Sequence, residues 1–338
     1  LNEDLDVCEI ELPKELGIGQ VAVDVHYSGI CGSQIGEIRG VKGPDPYLPH
    51  LLGHEGAGVV LEVGPGVKTV IPGDHVVMHW RLSSGIQAEP PKYSCGGELI
   101  NAGSVTTFNE FAVVSENRLT PVPPEFPLEH AILYGCALTT GFGVVENVAK
   151  LKLGQSIVVV GAGGVGLNVL QAAALTSGHP IVAVDLFDNR LDLARKAGAS
   201  HTICAPENTS LKAEILDIVG PSGADVVVDN TGNPRIIEQC YEMTKASGKT
   251  VLVGVPRRGD ETAIYTLPLH FGRSLVGTHG GDGDPTEDIP RFLALEMSGK
   301  FNSGELITDR FSLFEINMAI ERMIDGTLAG RCLIDCRS

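Results

Sequence analysis

The sequence predicts an α/β fold: a doubly wound parallel sheet joined to a second, β-rich domain. Three observations predict it. A glycine-rich turn, GAGGVG at 161–166, follows directly on the apolar run IVVV at 157–160. From about residue 150 onward, short β-type runs alternate with helical patterns. Between residues 20 and 80 the apolar runs are instead separated by glycine and proline. A length of 338 residues accommodates roughly two domains at ~150 residues each, large enough to bury cores without disulfides.

Composition narrows the class. Glycine is in excess, with 42 residues against a usual share of ~7%, but without the triplet period of collagen. With 43% hydrophobic and 20% charged residues, the chain is too apolar for disorder. Its 25 basic and 42 acidic side chains leave a net charge of −17, so no nucleic-acid partner is expected. Residues 156–175 are apolar enough to suggest a membrane span. Gly161, Gly163, Gly164, Gly166, Asn168 and Gln171 within them suit a strand, turn and helix better, and no membrane partner is expected. The first residues show no basic segment leading into an apolar one, which makes the cytoplasm the expected location. Eight cysteines, at 8, 31, 95, 136, 204, 240, 332 and 336, are too scattered for a disulfide framework and are expected as thiols or metal ligands.

The elements follow in order. VAVDV at 21–25 alternates, and GVVLEV at 58–63 and GDHVVM at 73–78 are short runs punctuated by Gly64, Pro65, Gly66, Pro72 and Gly73. Such runs suit a compact barrel or sandwich. The 157–160 strand leads to a helix through about 177, a strand at 181–184 and a helix at 191–197. A strand at 225–228, a helix at 234–245 and a strand at 250–253 come next, then a helix at 288–298 and a closing RCLI at 331–334. Successive β-α-β units imply a parallel sheet covered on both faces.

The turn carries a cofactor signature. Gly161 permits the tight turn, Gly163 lets backbone approach a pyrophosphate, and Gly166 allows the helix to pack closely on the strand; Gly164 and Val165 complete the turn. The helix start offers free N–H groups to phosphates. Asp185 lies at the end of the next strand, 19 residues after Gly166, where a carboxylate accepts from ribose hydroxyls and repels a 2′-phosphate. NAD is therefore expected rather than NADP. Arg190 either flanks the adenine or is a solvated helix residue.

Earlier in the chain stand three metal-ligand candidates: Cys31 in GICGS, His54 in GHEG and Cys136 in GCALTTG. Their spacing alone identifies no site. With the nucleotide turn, however, these motifs occur in the order found in one family, and the chain from about 21 to 334 resembles the zinc-dependent medium-chain alcohol dehydrogenases. It is most similar to the long-lobed branch that includes the liver-type and glutathione-dependent formaldehyde dehydrogenases. GTHGGD at 277–282 and the closing Gly330 and Arg331 also look like the family's.

The resemblance implies a Rossmann NAD-binding domain at 141–280 and a GroES-like catalytic domain at 1–140 and 281–338. It implies that Cys31, His54 and Cys136 ligate a catalytic zinc with an open fourth position. Such a metal stabilises an alkoxide, which releases hydride to the nicotinamide. Ser33 then corresponds to the hydroxyl that hydrogen-bonds the alcohol oxygen, and Glu55 to an acid beside the zinc. Thr140, Val165 and Val253 fall where the nicotinamide packs, Arg331 where the pyrophosphate is contacted, and Trp80 where the substrate pocket narrows. The 36–50 segment forms part of the pocket wall. A homodimer or homotetramer is implied by pairing of the outer strand of the nucleotide sheet.

Three departures qualify that picture. Gly36 replaces the family's outer relay histidine, and Gln34 replaces an acid that orients the zinc histidine. Between 80 and 103 only Cys95 stands where relatives carry four cysteines. One zinc per chain is therefore expected, with no structural zinc and Cys95 as a free thiol. The expected activity is zinc-dependent hydride transfer between an alcohol or polyol and NAD. The alternatives are a zinc-free quinone or enoyl reductase, which lacks such ligands and usually prefers NADPH, and a non-catalytic nucleotide-binding relative.

Overall fold

A computed structural model of the chain describes residues 2–41, 43–206 and 210–338. Leu1 of the N-terminal stretch and Lys42 of the 36–50 segment thus lie outside the described residues. The chain divides into two compact units, one of residues 1–139 with 284–338 and one of residues 140–283. In chain order the first contributes β1 (Gln20–Gly29), β2 (Glu55–Val63), β3 (His75–His79), β4 (Tyr93–Cys95), β5 (Glu98–Ile100), β6 (Phe111–Ser115) and β7 (Leu119–Pro121). The second contributes β8 (Ile157–Val160), β9 (Ile181–Asp185), β10 (His201–Cys204), β11 (Ala224–Asp229), β12 (Thr244–Leu252) and β13 (Ser274–Gly277). The first closes with β14 (Ile307–Ser312) and β15 (Arg331–Asp335).

In the first unit the sheet runs β14-β15-β1-β2-β3-β7, with β6 also paired to β1. Alternation along β1 sends Val21, Val23 and Val25 into a core shared with Val76, Met78, Val114 and Ile334. Each such residue contributes roughly 1.5–3 kcal/mol by leaving water. Register decides what happens at one end of this sheet. Ser28 pairs with Gly56, Gly29 with Leu333, and Glu55 with His79. The close of β1, the start of β2, the close of β3 and the start of β15 therefore coincide, and Cys31, His54, Trp80 and Arg331 leave the sheet at the same end.

The second unit is an all-parallel sheet in the order β10-β9-β8-β11-β12-β13, the 3-2-1-4-5-6 arrangement of a doubly wound dinucleotide fold. Its central strands are buried throughout, as IVVV in β8 illustrates. The apolar stretch 156–175 resolves into β8, a turn and the helix Gly164–Leu175. Among the described residues no single helix is long and apolar enough to cross a membrane. The helix Pro234–Met243 stops two residues earlier than its pattern predicts. Thr244 opens β12 instead, its hydroxyl 2.7 Å from that of Thr250. The edge strands β10 and β13, HTIC and SLVG, are only partly buried and carry no sustained apolar run.

Candidate metal centre and nucleotide turn

The ligand candidates are brought together by the sheet end. Cys31 precedes the short helix Gly32–Ile38, His54 precedes β2, and Cys136 follows the turn Ile132–Gly135, which packs on β2 and β3. Gly135 makes that packing possible: a Cβ there would lie 2.5 Å from the Met78 carbonyl and 2.9 Å from Glu55 Cα. The two thiols are 3.9 Å apart, and the ligand atoms of Cys31, His54 and Cys136 all lie within 4.8 Å of one another. Tetrahedral zinc with Zn–S near 2.3 Å requires a sulfur–sulfur separation of about 3.8 Å, so two thiols and one imidazole here fit that ion in number, type and spacing. Its hydrogen bond with Cys136, together with His54 and the nearby Arg331, holds the Cys31 thiol well below its ordinary value against the opposing effect of burial. That favours the thiolate a metal needs.

Beneath this cluster sits a buried ion pair. Glu55 is 1% exposed and Arg331 4%, and Arg331 Nη2 donates to Glu55 Oε1. The Arg331 guanidinium, expected to contact the pyrophosphate, is engaged with Glu55 and with Cys31. The physical reason is register. Arg331 opens β15 opposite the end of β1, so its side chain falls into the first unit's interior. Two hydroxyls fix the backbone around Glu55: Ser28 Oγ donates to the Glu55 carbonyl at 3.1 Å and lies 2.7 Å from Thr107 Oγ1.

Gln34, which replaces the family's acid, is buried and works on backbone rather than on the imidazole. Its Oε1 accepts from the Gly53 N–H at 2.6 Å, and its Nε2 donates to Glu37 Oε2 at 2.7 Å. It thereby ties the helix Gly32–Ile38 to the turn that presents His54. Glu37 belongs to a second cluster with Asp45 and His50, whose ligand-type atoms also lie within 4.8 Å of one another. His50 Nδ1 lies 2.8 Å from the Leu51 carbonyl and Nε2 2.9 Å from Asp45 Oδ2. Burial alone would lower the His50 imidazole, but these bonds and the neighbouring Glu37 lift it above its usual value. Sequence reasoning missed this cluster. The i, i+3 pair Gln34/Glu37 on one helix and the His50/His54 spacing were the signals available.

In the second unit the glycine turn has its expected form. Gly161 takes φ +94°, and a Cβ on Gly166 would collide with the Gly161 carbonyl, so both positions require glycine. Gly163 caps the helix that starts at Gly164, and Val165 lies half-buried in its first turn. Asp185 ends β9, where Oδ2 accepts from the Ala162 N–H at 2.7 Å and Oδ1 from the Phe187 N–H at 3.1 Å. Its carboxylate is thus locked against the turn. Arg190 Nη1 stands 3.8 Å from Asp185 Oδ1, with the guanidinium over the Phe187 ring at 4.8 Å. Val253 follows β12 at the carboxyl edge of the sheet, its N–H bonded to the Asp229 carbonyl at 2.8 Å. Thr140 is buried in the helix Ala137–Gly143.

Ser33 is exposed in the first turn after Cys31. Trp80, half-buried, follows β3 beside the start of β2, with the Arg81 guanidinium over its ring. Cys95 ends β4, and its thiol lies 3.0 Å from that of Cys8, a neighbour that sequence spacing did not reveal.

Comparison with known proteins agrees with this geometry. Residues 17–124 match the family model described as alcohol dehydrogenase GroES-like domain, and residues 164–297 the one described as zinc-binding dehydrogenase. The chain is 32% identical to S-(hydroxymethyl)glutathione dehydrogenase of Paracoccus denitrificans, covering 95% of this chain and 94% of that protein. Among solved structures it is similar to benzyl alcohol dehydrogenase from Acinetobacter calcoaceticus, with TM-score 0.85, 29% identity and coverage of 96% and 94%. It is also similar to 2R,3R-butanediol dehydrogenase from Bacillus subtilis, with TM-score 0.78, 28% identity and coverage of 98% and 96%.

Proposed function

The chain belongs to the zinc-dependent medium-chain alcohol dehydrogenase family, and from that premise we propose that it interconverts an alcohol and its aldehyde or ketone, exchanging hydride with NAD at a single zinc held by Cys31, His54 and Cys136. The observation that carries this reading is the 3.9 Å approach of the Cys31 and Cys136 thiols with His54 beside them. When bound, the zinc supplies Lewis-acid stabilisation of the alcohol oxygen as an alkoxide.

The chain's own residues do the rest. Ser33 Oγ accepts the alcohol's hydroxyl proton and gives up its own to the solvent to which it is exposed. Glu55 and Arg331 cancel each other's charge, so no net anion is added beside two thiolates. Gln34 fixes the Gly53 backbone and with it the approach of His54. The N–H groups at the start of the 164–175 helix receive the pyrophosphate, and Asp185 takes the adenosine ribose hydroxyls through its remaining lone pairs. Thr140, Val165 and Val253 pack the nicotinamide, and Trp80 narrows the pocket for the alcohol. The relatives' names span a thiol conjugate, an aromatic alcohol and a diol, so the reading commits to an alcohol of open identity.

We read the protein as a homo-oligomer. The outer edge of β13 ends the second sheet, and the preceding residues expose Val255, Tyr265, Leu267 and Phe271, apolar surface of the kind that marks an interface.

The deciding experiment screens primary, secondary and polyhydric alcohols with NAD, following the absorbance of the reduced cofactor, in the wild type and in Cys136→Ser. Turnover that disappears in the variant while NAD binding persists supports the reading. Unchanged turnover in a zinc-free variant refutes it.

A further inference from the structure

The thiols of Cys8 and Cys95 come within 3.0 Å of one another although 87 positions separate them in the chain. That approach is imposed from both sides by backbone. Upstream, Leu5 is pinned to Asn317, donating to Oδ1 at 2.8 Å and accepting from Nδ2 at 2.9 Å. Downstream, Glu11 forms a β-bridge with Ser94, with Glu11 N–H donating to the Ser94 carbonyl at 2.8 Å and Ser94 Oγ to Glu11 Oε2 at 2.8 Å. Cys8 lies between these anchors. Cys95 lies next to Ser94 and pairs with Glu98 across Gly96 and Gly97, which take φ +58° and +87°, the conformation of a tight two-residue hairpin turn.

Both partners belong to weakly held structure. β4 and β5 form a two-stranded sheet of their own, an arrangement marginal in water by itself. Residues 2–18 are largely exposed. A covalent link between them closes a long loop, which is where a cross-link restricts the unfolded chain most. Cys8 is exposed and Cys95 partly so, so a small oxidant can reach them, unlike the buried Cys240, Cys332 and Cys336.

We propose that Cys8 and Cys95 are a reversible redox pair whose disulfide ties the N-terminal segment to the β4–β5 hairpin. The oxidant is a low-molecular-weight disulfide, RSSR. The thiolate of one cysteine attacks a sulfur of RSSR, breaking its S–S bond and releasing RS⁻, which takes up a proton to leave as RSH. The second cysteine, losing its proton, attacks the mixed disulfide and expels the other RSH. Two electrons pass from the protein thiols to RSSR, and one S–S bond is exchanged for another. The hydrogen bond between the thiols, with burial and Asp6 adding to it, pushes Cys8 up to about 11. Cys8 consequently stays mostly protonated at neutral pH, and its attack on a disulfide accelerates as pH rises.

The test incubates zinc-loaded protein with graded ratios of oxidised to reduced glutathione, quenches by alkylation, and maps cross-linked peptides by mass. A Cys8–Cys95 peptide that forms reversibly, together with proteolysis within residues 2–18 slowed on the order of tenfold in the oxidised form, supports the proposal. Cys8→Ser and Cys95→Ser must each abolish both signals while zinc content and NAD-linked turnover stay at wild-type levels. Glutathione carried singly on both cysteines, or a cross-link confined to Cys31 and Cys136, would overturn it.

Discussion

Arg331 and Glu55 form an ion pair in the interior of the β-rich unit, 4% and 1% exposed, directly under the thiol of Cys31. Removing one partner of such a pair leaves an uncompensated charge at a cost of about 3–5 kcal/mol, whereas removing both costs far less. Arg331→Met should therefore lower the stability of the zinc-loaded protein by about that amount. Combining it with Glu55→Gln should restore much of the loss. Urea unfolding of the two single variants and the double variant measures the coupling; additive losses would show that the pair is not energetically joined.

Gln34 ties the turn before His54 to the helix after Cys31 by accepting from Gly53 N–H at 2.6 Å. Partners of this kind typically govern metal affinity by 10–100-fold. Gln34→Leu should release zinc to a chromogenic chelator at least about tenfold faster than wild type with its fold intact by circular dichroism. An unchanged release rate would assign Gln34 to helix packing alone.

His79 is 1% exposed, with Nδ1 2.8 Å from the Arg81 carbonyl and Nε2 3.0 Å from Thr120 Oγ1. Both bonds suit a neutral ring that donates through Nδ1 and accepts at Nε2. Burial lowers this imidazole to about 4, against about 6.5 in the unfolded chain. Between those values the unfolded state binds a proton that the folded state refuses. The contribution is therefore complete above pH ~6.5 and is lost as pH falls to ~4, by about 3 kcal/mol in all. His79→Gln, which keeps a donor and an acceptor, should flatten the stability profile across that window. An unchanged slope would place the acid sensitivity elsewhere.

Asp185 is locked against the glycine turn by the Ala162 N–H. Asp185→Asn removes the charge and keeps one acceptor oxygen for the Ala162 N–H, giving up the bond from the Phe187 N–H. KM for NAD should rise on the order of tenfold, the loss of one charge-assisted hydrogen bond, while discrimination against NADP weakens. Equal effects on both cofactors would mean that the carboxylate shapes the turn without reading the ribose.

Motif and periodicity carried much of this in the sequence. GAGGVG after IVVV specified strand, turn and helix because each glycine answers a local steric demand. Cys31, His54 and Cys136 were named from their motifs, but their convergence depends on pairings such as Glu55 with His79, which join residues far apart in the chain. The same applies to what escaped notice. The pairing of Arg331 with Glu55 escaped because nothing local reveals that β15 lies beside β1. Gln34 registered only as a departure from a family pattern, since its partner is a backbone N–H that no side-chain pattern encodes. Cys8 and Cys95 looked solitary because their proximity is set by the Glu11–Ser94 bridge.

The central claim is that one zinc, held by Cys31, His54 and Cys136, is what the alcohol chemistry requires. Its most direct test is titration of zinc into metal-depleted protein while NAD reduction is followed with the best alcohol from the screen. Activity is predicted to rise from the baseline to a plateau at one equivalent per chain. Full activity before any zinc is added, or a plateau at two equivalents, would contradict the account.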